Sequence, residues 1–124
     1  MPTRKVLVVD DEDDVRLFLE DFLSERDLRV QSAHNGEAAL KKVDEMMPDV
    51  VLLDIMMPGM NGIECLRRIK LKHPQINVIM LTALKDEDNV EKARKLGAHD
   101  YIVKPFSLDY LEQELTKLLE GPAK

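Results

Sequence analysis

Two hydrophobic periods take turns along this chain, and few folds accommodate that alternation. Short apolar runs at Lys5 to Val9, Leu28 to Ala33, Val50 to Leu53, Ile76 to Leu81 and Tyr101 to Val103 are bounded by charged and turn residues, as strands are. Four of the five are nearly continuous, the pattern of strands buried on both faces. Between the runs the period lengthens to that of a helix. Val15, Phe18, Leu19, Phe22 and Leu23 fall at i, i+3, i+4, i+7 and i+8, and Leu108, Leu111, Leu115, Leu118 and Leu119 mark a closing helix. Ala39, Val43 and Met46 or Met47 indicate a second helix, and Ile63, Leu66 and Ile69 a third, introduced by a turn at Asn61-Gly62. A fourth, roughly Asp86 to Leu96, offers a core only Val90, Ala93 and Leu96, a thin grip that suits a movable surface element. The expected class is α/β: a five-stranded parallel sheet with helices on both faces, since right-handed crossovers lie on one side or the other.

The 124 residues, 44% of them hydrophobic, suit one domain with one core and are too few for two. Residues 1–124 are therefore expected to be a single domain. No apolar run approaches the ~18 residues of a membrane span, and MPTRKVLVVDDED reaches acids before a signal-type stretch could finish. A soluble protein without membrane insertion is expected. The single cysteine, Cys65, excludes an internal disulfide and a Cys-rich metal site, which fits a reducing compartment, by default the cytoplasm. A net charge of -6, with Lys and Arg scattered through the chain, argues against direct nucleic acid binding.

Ligands in such sheets bind beyond the carboxyl ends of the strands, so the residues that end each strand are the candidates. The first strand ends in Asp10-Asp11, the third in Asp54, the fourth in Thr82-Ala83 and the fifth in Lys104-Pro105, while the second ends in nothing reactive. Two unit charges ~4 Å apart interact by about 4 kcal/mol at an effective dielectric of ~20, so acids gathered at one edge require a cation. Oxygen donors without His or Cys favour a hard ion, and positions kept open for water and phosphate oxygens suit Mg²⁺ or Mn²⁺ better than Zn²⁺. With a metal and Lys104 both positive, the edge can receive a phosphoryl group. Asp54, alone at the end of a central strand, is the best nucleophile, with Asp10 and Asp11 supplying the metal side. The Thr82 hydroxyl can bond a phosphoryl oxygen.

The segments KVLVVDDEDDVR, PDVVLLDIMMPGMNGIE, VIMLTA and GAHDYIVKPF, in this order and at this spacing, resemble the receiver domain of bacterial two-component response regulators, a resemblance that covers nearly the whole chain. The resemblance implies a flavodoxin-like (CheY-like) doubly wound sheet of order 2-1-3-4-5, which makes the first and third strands neighbours. It implies phosphorylation of Asp54, Mg²⁺ held by Asp10, Asp11, Asp54 and the backbone carbonyl of Met56, and phosphoryl contacts from Thr82 and Lys104. Tyr101 would be the switch residue, turning inward as Thr82 moves toward the phosphoryl group. The implied donor is a sensor histidine kinase or a histidine phosphotransfer protein. The implied output face surrounds helix four, strand five and helix five and addresses a downstream protein target or effector domain; a dimer formed there on phosphorylation is compatible with it. Self-phosphorylation and self-dephosphorylation would be the only chemistry, so the chain is not expected to be an enzyme with a free substrate. A cis Lys104-Pro105 bond also belongs to the resemblance. Met56 and Leu84, two residues past Asp54 and Thr82, are apolar where family side chains border the path of the hydrolytic water, so a long-lived phosphoryl state is expected.

Plainer readings compete residue by residue. Asp54 before Pro-Gly suits a turn, Asp13 and Asp14 suit a helix N-terminus, Lys104 suits a snorkelling surface lysine, and Tyr101 suits a buried ring with a wet hydroxyl. His34, His73 and His99 lack ligand spacing, and Met56, Met57 and Met60 read as packing. Among whole-chain rivals, Asp11-Glu-Asp13-Asp-Val15 fits the nucleophile motif of haloacid-dehalogenase-like phosphatases, with Asp11 as nucleophile. That family needs an acidic metal motif after the lysine strand, where this chain has Pro105-Phe106-Ser107, and it leaves Asp54 idle. A flavodoxin-like cofactor binder expects a Ser/Thr/Gly-rich phosphate loop where five consecutive acids stand. A pseudo-receiver used only for interaction would not need the full acid, Thr and Lys set. The chain ends at LEGPAK, where no effector domain is expected and Gly-Pro-Ala-Lys reads equally well as the stub of a linker.

Overall fold

The computed structural model describes residues 4–57, 59–83, 87–104 and 107–119. Five strands and five helices alternate: β1 (Lys5–Val9), α1 (Asp13–Ser24), β2 (Arg29–Ala33), α2 (Gly36–Met46), β3 (Val50–Asp54), α3 (Gly62–Lys72), β4 (Asn77–Ala83), α4 (Glu87–Lys95), β5 (Asp100–Lys104) and α5 (Leu108–Leu119). All strand pairs are parallel, in the order β2-β1-β3-β4-β5. The expectations placed on Leu84, on the Asp86 helix start, on the Lys104-Pro105 bond, on residues 121–124 and on the side chains of Leu108, Leu118 and Leu119 lie outside what is described.

The near-continuous apolar strands are explained by two cores, one on each face of the sheet. Because successive strand residues point to opposite faces, Leu7, Val9, Val51, Leu53, Val78 and Met80 pack with Ala39 and Val43 of α2 and Leu66 and Ile69 of α3. Their neighbours Val6, Val8, Val50, Leu52, Ile79 and Leu81 pack with Leu19 and Leu23 of α1 and Leu111 and Leu115 of α5. Full burial of one such Leu or Val is worth roughly 1.5–3 kcal/mol, so the central strands fix the frame on which the carboxyl edge is mounted. Helix α4 buries Ala93, in keeping with the thin grip expected of it.

Several boundaries move, and the moves bear on the site. Asp54 is itself the last residue of β3, paired with Leu81. Thr82 and Lys104 lie within β4 and β5, opposite Val103 and Ala83 respectively, rather than beyond them, while Leu28 and Ile76 precede their strands. Sheet pairing extended these strands into polar residues that a hydrophobicity pattern assigns to loops. Asn61-Gly62 is not a free turn: the Asn61 side chain caps α3 by accepting from the Glu64 N–H at 3.0 Å, a contact worth about 1 kcal/mol, and Gly62 is the first helical residue. Asn35 caps α2 in the same way, accepting from the Ala38 N–H at 2.8 Å.

Candidate functional site

The carboxyl ends of β1 and β3 are adjacent, and this adjacency assembles the site. Ligand oxygens of Asp10, Asp11 and Asp54 lie within 4.8 Å of one another. Asp10 is fully buried and held from every side. Its Oδ1 accepts from the Glu12 N–H at 3.0 Å, its Oδ2 from Lys104 Nζ at 2.7 Å, and its carbonyl from Arg16 Nη1 at 2.7 Å. Arg16 also pairs with Asp13. Asp54 is 5% exposed; its Oδ1 accepts from the Met56 N–H at 3.2 Å and its Oδ2 from Lys104 Nζ at 3.4 Å. Glu12 Oε1 stands 3.7 Å from the same ammonium. Asp11 is exposed.

The loop after Asp54 is fastened to the neighbouring strand β4 and, from the start of α3, back to its own first residue. Ile55 donates its N–H to the Leu81 carbonyl at 3.0 Å, and its carbonyl accepts from the Gly62 N–H at 2.8 Å. A Cβ on Gly62 would lie 2.7 Å from Ile55 Cα and 2.9 Å from the Asp54 carbonyl carbon, so α3 begins in contact with the backbone of the acidic residue. Met57 is buried and Met60 partly buried against the α2–α3 core, which fits the packing expected of them. Met56 does not pack: its side chain is 63% exposed, because the loop turns its N–H toward Asp54.

Charge crowding is visible in the proton affinities. Burial first, and the Asp10 charge second, push the Asp54 carboxyl up to about 6, against the pull of Lys104 and the Met56 N–H. Burial works against the Lys104 charge, yet the Asp10 hydrogen bond and the two carboxylates together hold its ammonium above the ordinary lysine range. Cys65, by contrast, is buried away from the edge with its thiol pushed up to about 12 by desolvation, and is chemically quiet. Since the Asp54 affinity is raised on folding, ionising this group costs stability as pH climbs through about 6. Asp54→Asn is therefore expected to be more stable than wild type in chelator at neutral pH, by about 2 kcal/mol. Added Mg²⁺ is expected to raise the unfolding temperature of the wild type and to raise that of the variant much less. Scanning calorimetry reads both effects.

An all-oxygen trio beside open surface fits a hard divalent cation. Thr82 is buried one residue past the Asp54 partner on β4. Tyr101, on β5, is 38% exposed and lines a groove of about 140 Å³ with Val90, Ala93, Arg94 and His99. On the neighbouring α5 the Glu114 carboxyl is buried and held above its usual range by its hydrogen bond to Asp100 and then by burial. Sequence reasoning did not find Arg16 or Gly62: a helix arginine reaching back to a carbonyl and a glycine pressed on a strand end leave no periodic signature.

A parallel sheet of this order, with an aspartate trio and a lysine at its carboxyl edge, defines the class of doubly wound switch proteins whose site straddles the first and third strands. The chain belongs to the response regulator receiver domain family, which it matches over residues 6–116. It is 43% identical over 114 residues to the chemotaxis protein CheY of Listeria monocytogenes, covering 91% of this chain and 96% of that one. With sporulation initiation phosphotransferase F of Bacillus subtilis it shares 37% identity over 119 residues, 96% of either chain. It is 42% identical to the DNA-binding transcriptional regulator NtrC of Escherichia coli, covering 84% of this chain and 22% of that protein. Among solved structures, chemotaxis protein CheY4 of Vibrio cholerae is similar with a TM-score of 0.89 at 28% identity, over 95% of this chain and 100% of that one. The receiver domain of NtrX from Brucella abortus is similar with a TM-score of 0.87 at 33% identity, over 93% and 98%; against the longer NtrX chain, this chain spans 28% of the length. The protein is thus a phosphoacceptor signalling switch of the two-component type. The phosphatase and flavin-binder readings fall with that. No helix among the described residues is long and apolar enough to cross a membrane.

Proposed function

We propose that Asp54 is the phosphoacceptor and that Asp10, Asp11, Asp54 and the Met56 carbonyl hold Mg²⁺ or Mn²⁺. The observation that carries this reading is the position of Asp54: it ends the central strand, is nearly buried, and shares Lys104 with Asp10. Bound at this edge, the metal would neutralise the acids and the oxygens of an incoming phosphoryl group. An Asp54 carboxylate oxygen attacks phosphorus, an O–P bond forms, and the bond from phosphorus to the donor breaks. The donor is a phosphohistidine of a sensor kinase or phosphotransfer protein, whose imidazole leaves and takes up a proton, or a small acyl phosphate in self-phosphorylation. Lys104 releases its carboxylate partners to pair with the phosphoryl oxygens, and the Thr82 hydroxyl donates to another. Tyr101 follows Thr82 inward, and the α4–β5–α5 face changes its affinity for a downstream target. Residues 1–124 act as one receiver unit in the cytoplasm.

The site assignment is tested by phosphorylating the protein with acetyl phosphate in Mg²⁺ and reducing the acyl phosphate with borohydride. Peptide mapping should find the reduced residue at position 54. Reduction at Asp11 would instead return the phosphatase-type nucleophile. Met56, exposed and without a polar group, cannot orient a water for hydrolysis by hydrogen bonding. The adduct is accordingly expected to outlast a rapid desalting step, and Met56→Asn to shorten its life. Decay of the wild-type adduct within seconds in Mg²⁺ buffer would contradict that expectation.

A further inference from the structure

We infer that Arg16 is a positioning residue for Asp11, acting through the peptide that joins Asp10 to Asp11. The inference rests on the reading above that Asp11 is a metal ligand. Asp10 and Asp54 are buried and each is held by Lys104. Asp11 is exposed and its side chain makes no hydrogen bond among the described residues, so its backbone alone places it. The Asp10 carbonyl accepts from Arg16 Nη1 at 2.7 Å, and among the described residues this is the one hydrogen bond of the Asp10–Asp11 peptide. The guanidinium is itself aimed. Its other terminal nitrogen pairs with Asp13, and the Arg16 side chain is 17% exposed where that of Asp13 is 80%, so the arginine lies against the turn and does not extend into solvent.

Two other contacts hold this turn, and they act elsewhere along it. The Asp10 N–H donates to the Ala33 carbonyl at 3.2 Å, which fixes the chain before Asp10. The Glu12 N–H donates to Asp10 Oδ1 at 3.0 Å, which fixes the peptide after Asp11 but draws on a carboxylate that the cation also needs. Arg16 holds the peptide before Asp11 without using a carboxylate of the trio. Rotation of that peptide carries the Asp11 side chain with it, and a metal site tolerates only small displacements of its ligands. A pure charge effect would have the opposite sign. A guanidinium near three carboxylates repels an incoming cation, so deleting its charge alone would tighten metal binding.

The test is Mn²⁺ binding, followed by electron paramagnetic resonance on the full chain, in a cycle of Arg16→Met, Asp11→Ala and the double variant. Methionine matches arginine in helix propensity and removes the donor. Arg16→Met is expected to weaken Mn²⁺ binding roughly 10-fold and to raise the Mg²⁺ concentration that gives half-maximal phosphorylation by acetyl phosphate. In the Asp11→Ala background the same substitution should cost almost nothing further, since the residue it positions is gone. Urea unfolding shows whether Arg16→Met folds; Arg16→Gln, too short to reach the carbonyl, takes its place if it does not. Unchanged or tighter Mn²⁺ binding in the folded variant overturns the inference. An equal loss in both backgrounds also overturns it, because a general structural role would not depend on Asp11. Wild-type affinity in Asp11→Ala alone would strike the reading of Asp11 as a ligand, and the inference with it.

Discussion

Lys104→Met is expected to lower the stability of the metal-free protein at neutral pH by about 3 kcal/mol, read from urea unfolding, because the substitution strips the cation from two buried carboxylates. Asp10 has no exposure at all and Asp54 very little, and Lys104 lies 2.7 Å from one and 3.4 Å from the other. Neither acid can turn to water, so removing the ammonium leaves two negative charges facing each other in a poorly solvated wall. The loss should be partly reversed by Asp10→Asn in the same chain, the non-additivity expected of groups in one network. It should also be partly reversed by Mg²⁺, which supplies positive charge at the same edge. A Lys104→Met protein as stable as the wild type in chelator would mean that water, not the lysine, neutralises the acids.

Gly62→Ala is expected to be the most damaging alanine substitution among the described glycines. The new Cβ meets backbone, with Ile55 Cα at 2.7 Å and the Asp54 carbonyl carbon at 2.9 Å. Backbone at the end of a central strand cannot swing aside as a side chain can. A loss of more than about 4 kcal/mol follows, in the range reserved for severe overpacking and strain. Gly59→Ala is the control. Its left-handed φ of 77° faces open space, and the conformational cost alone is about 1 kcal/mol. Equilibrium unfolding of the two variants should separate them clearly; equal losses would show that the Gly62 contact relaxes. Any Gly62→Ala protein that folds should also accept phosphate poorly, since relief of the clash displaces Asp54 itself.

The contrast between these two glycines shows where the sequence was legible and where it was not. The alternation of strand and helix, both core faces and the polar strand ends could be read because each leaves a periodic or terminal mark. Val50 to Leu53 announced a strand buried on both faces, and the pattern held because α2–α3 and α1–α5 do cover them. The strand order did not follow from the residues and came only with the family resemblance, since nothing local in β1 states that β3 lies beside it. Gly62 looked like half of a turn because its true reason, a neighbour eight positions earlier in the chain, is tertiary. Met56 and Met57 could not be told apart by composition; the loop path alone decides that one is exposed and the other buried. Arg16 escaped for the same cause: its i,i+3 pairing with Asp13 is an ordinary helix pattern, and its reach to the Asp10 carbonyl leaves no mark in the sequence.

The most direct test of the receiver switch is intact-mass analysis after incubation with acetyl phosphate, comparing wild type with Asp54→Asn, each in Mg²⁺ and in chelator. With Asp54 as the proposed acceptor, a single phosphoryl adduct is expected in the wild type with Mg²⁺, lost in chelator and absent from Asp54→Asn under either condition. No adduct on the wild type, or an adduct that persists in Asp54→Asn, would contradict the assignment of Asp54 as the acceptor.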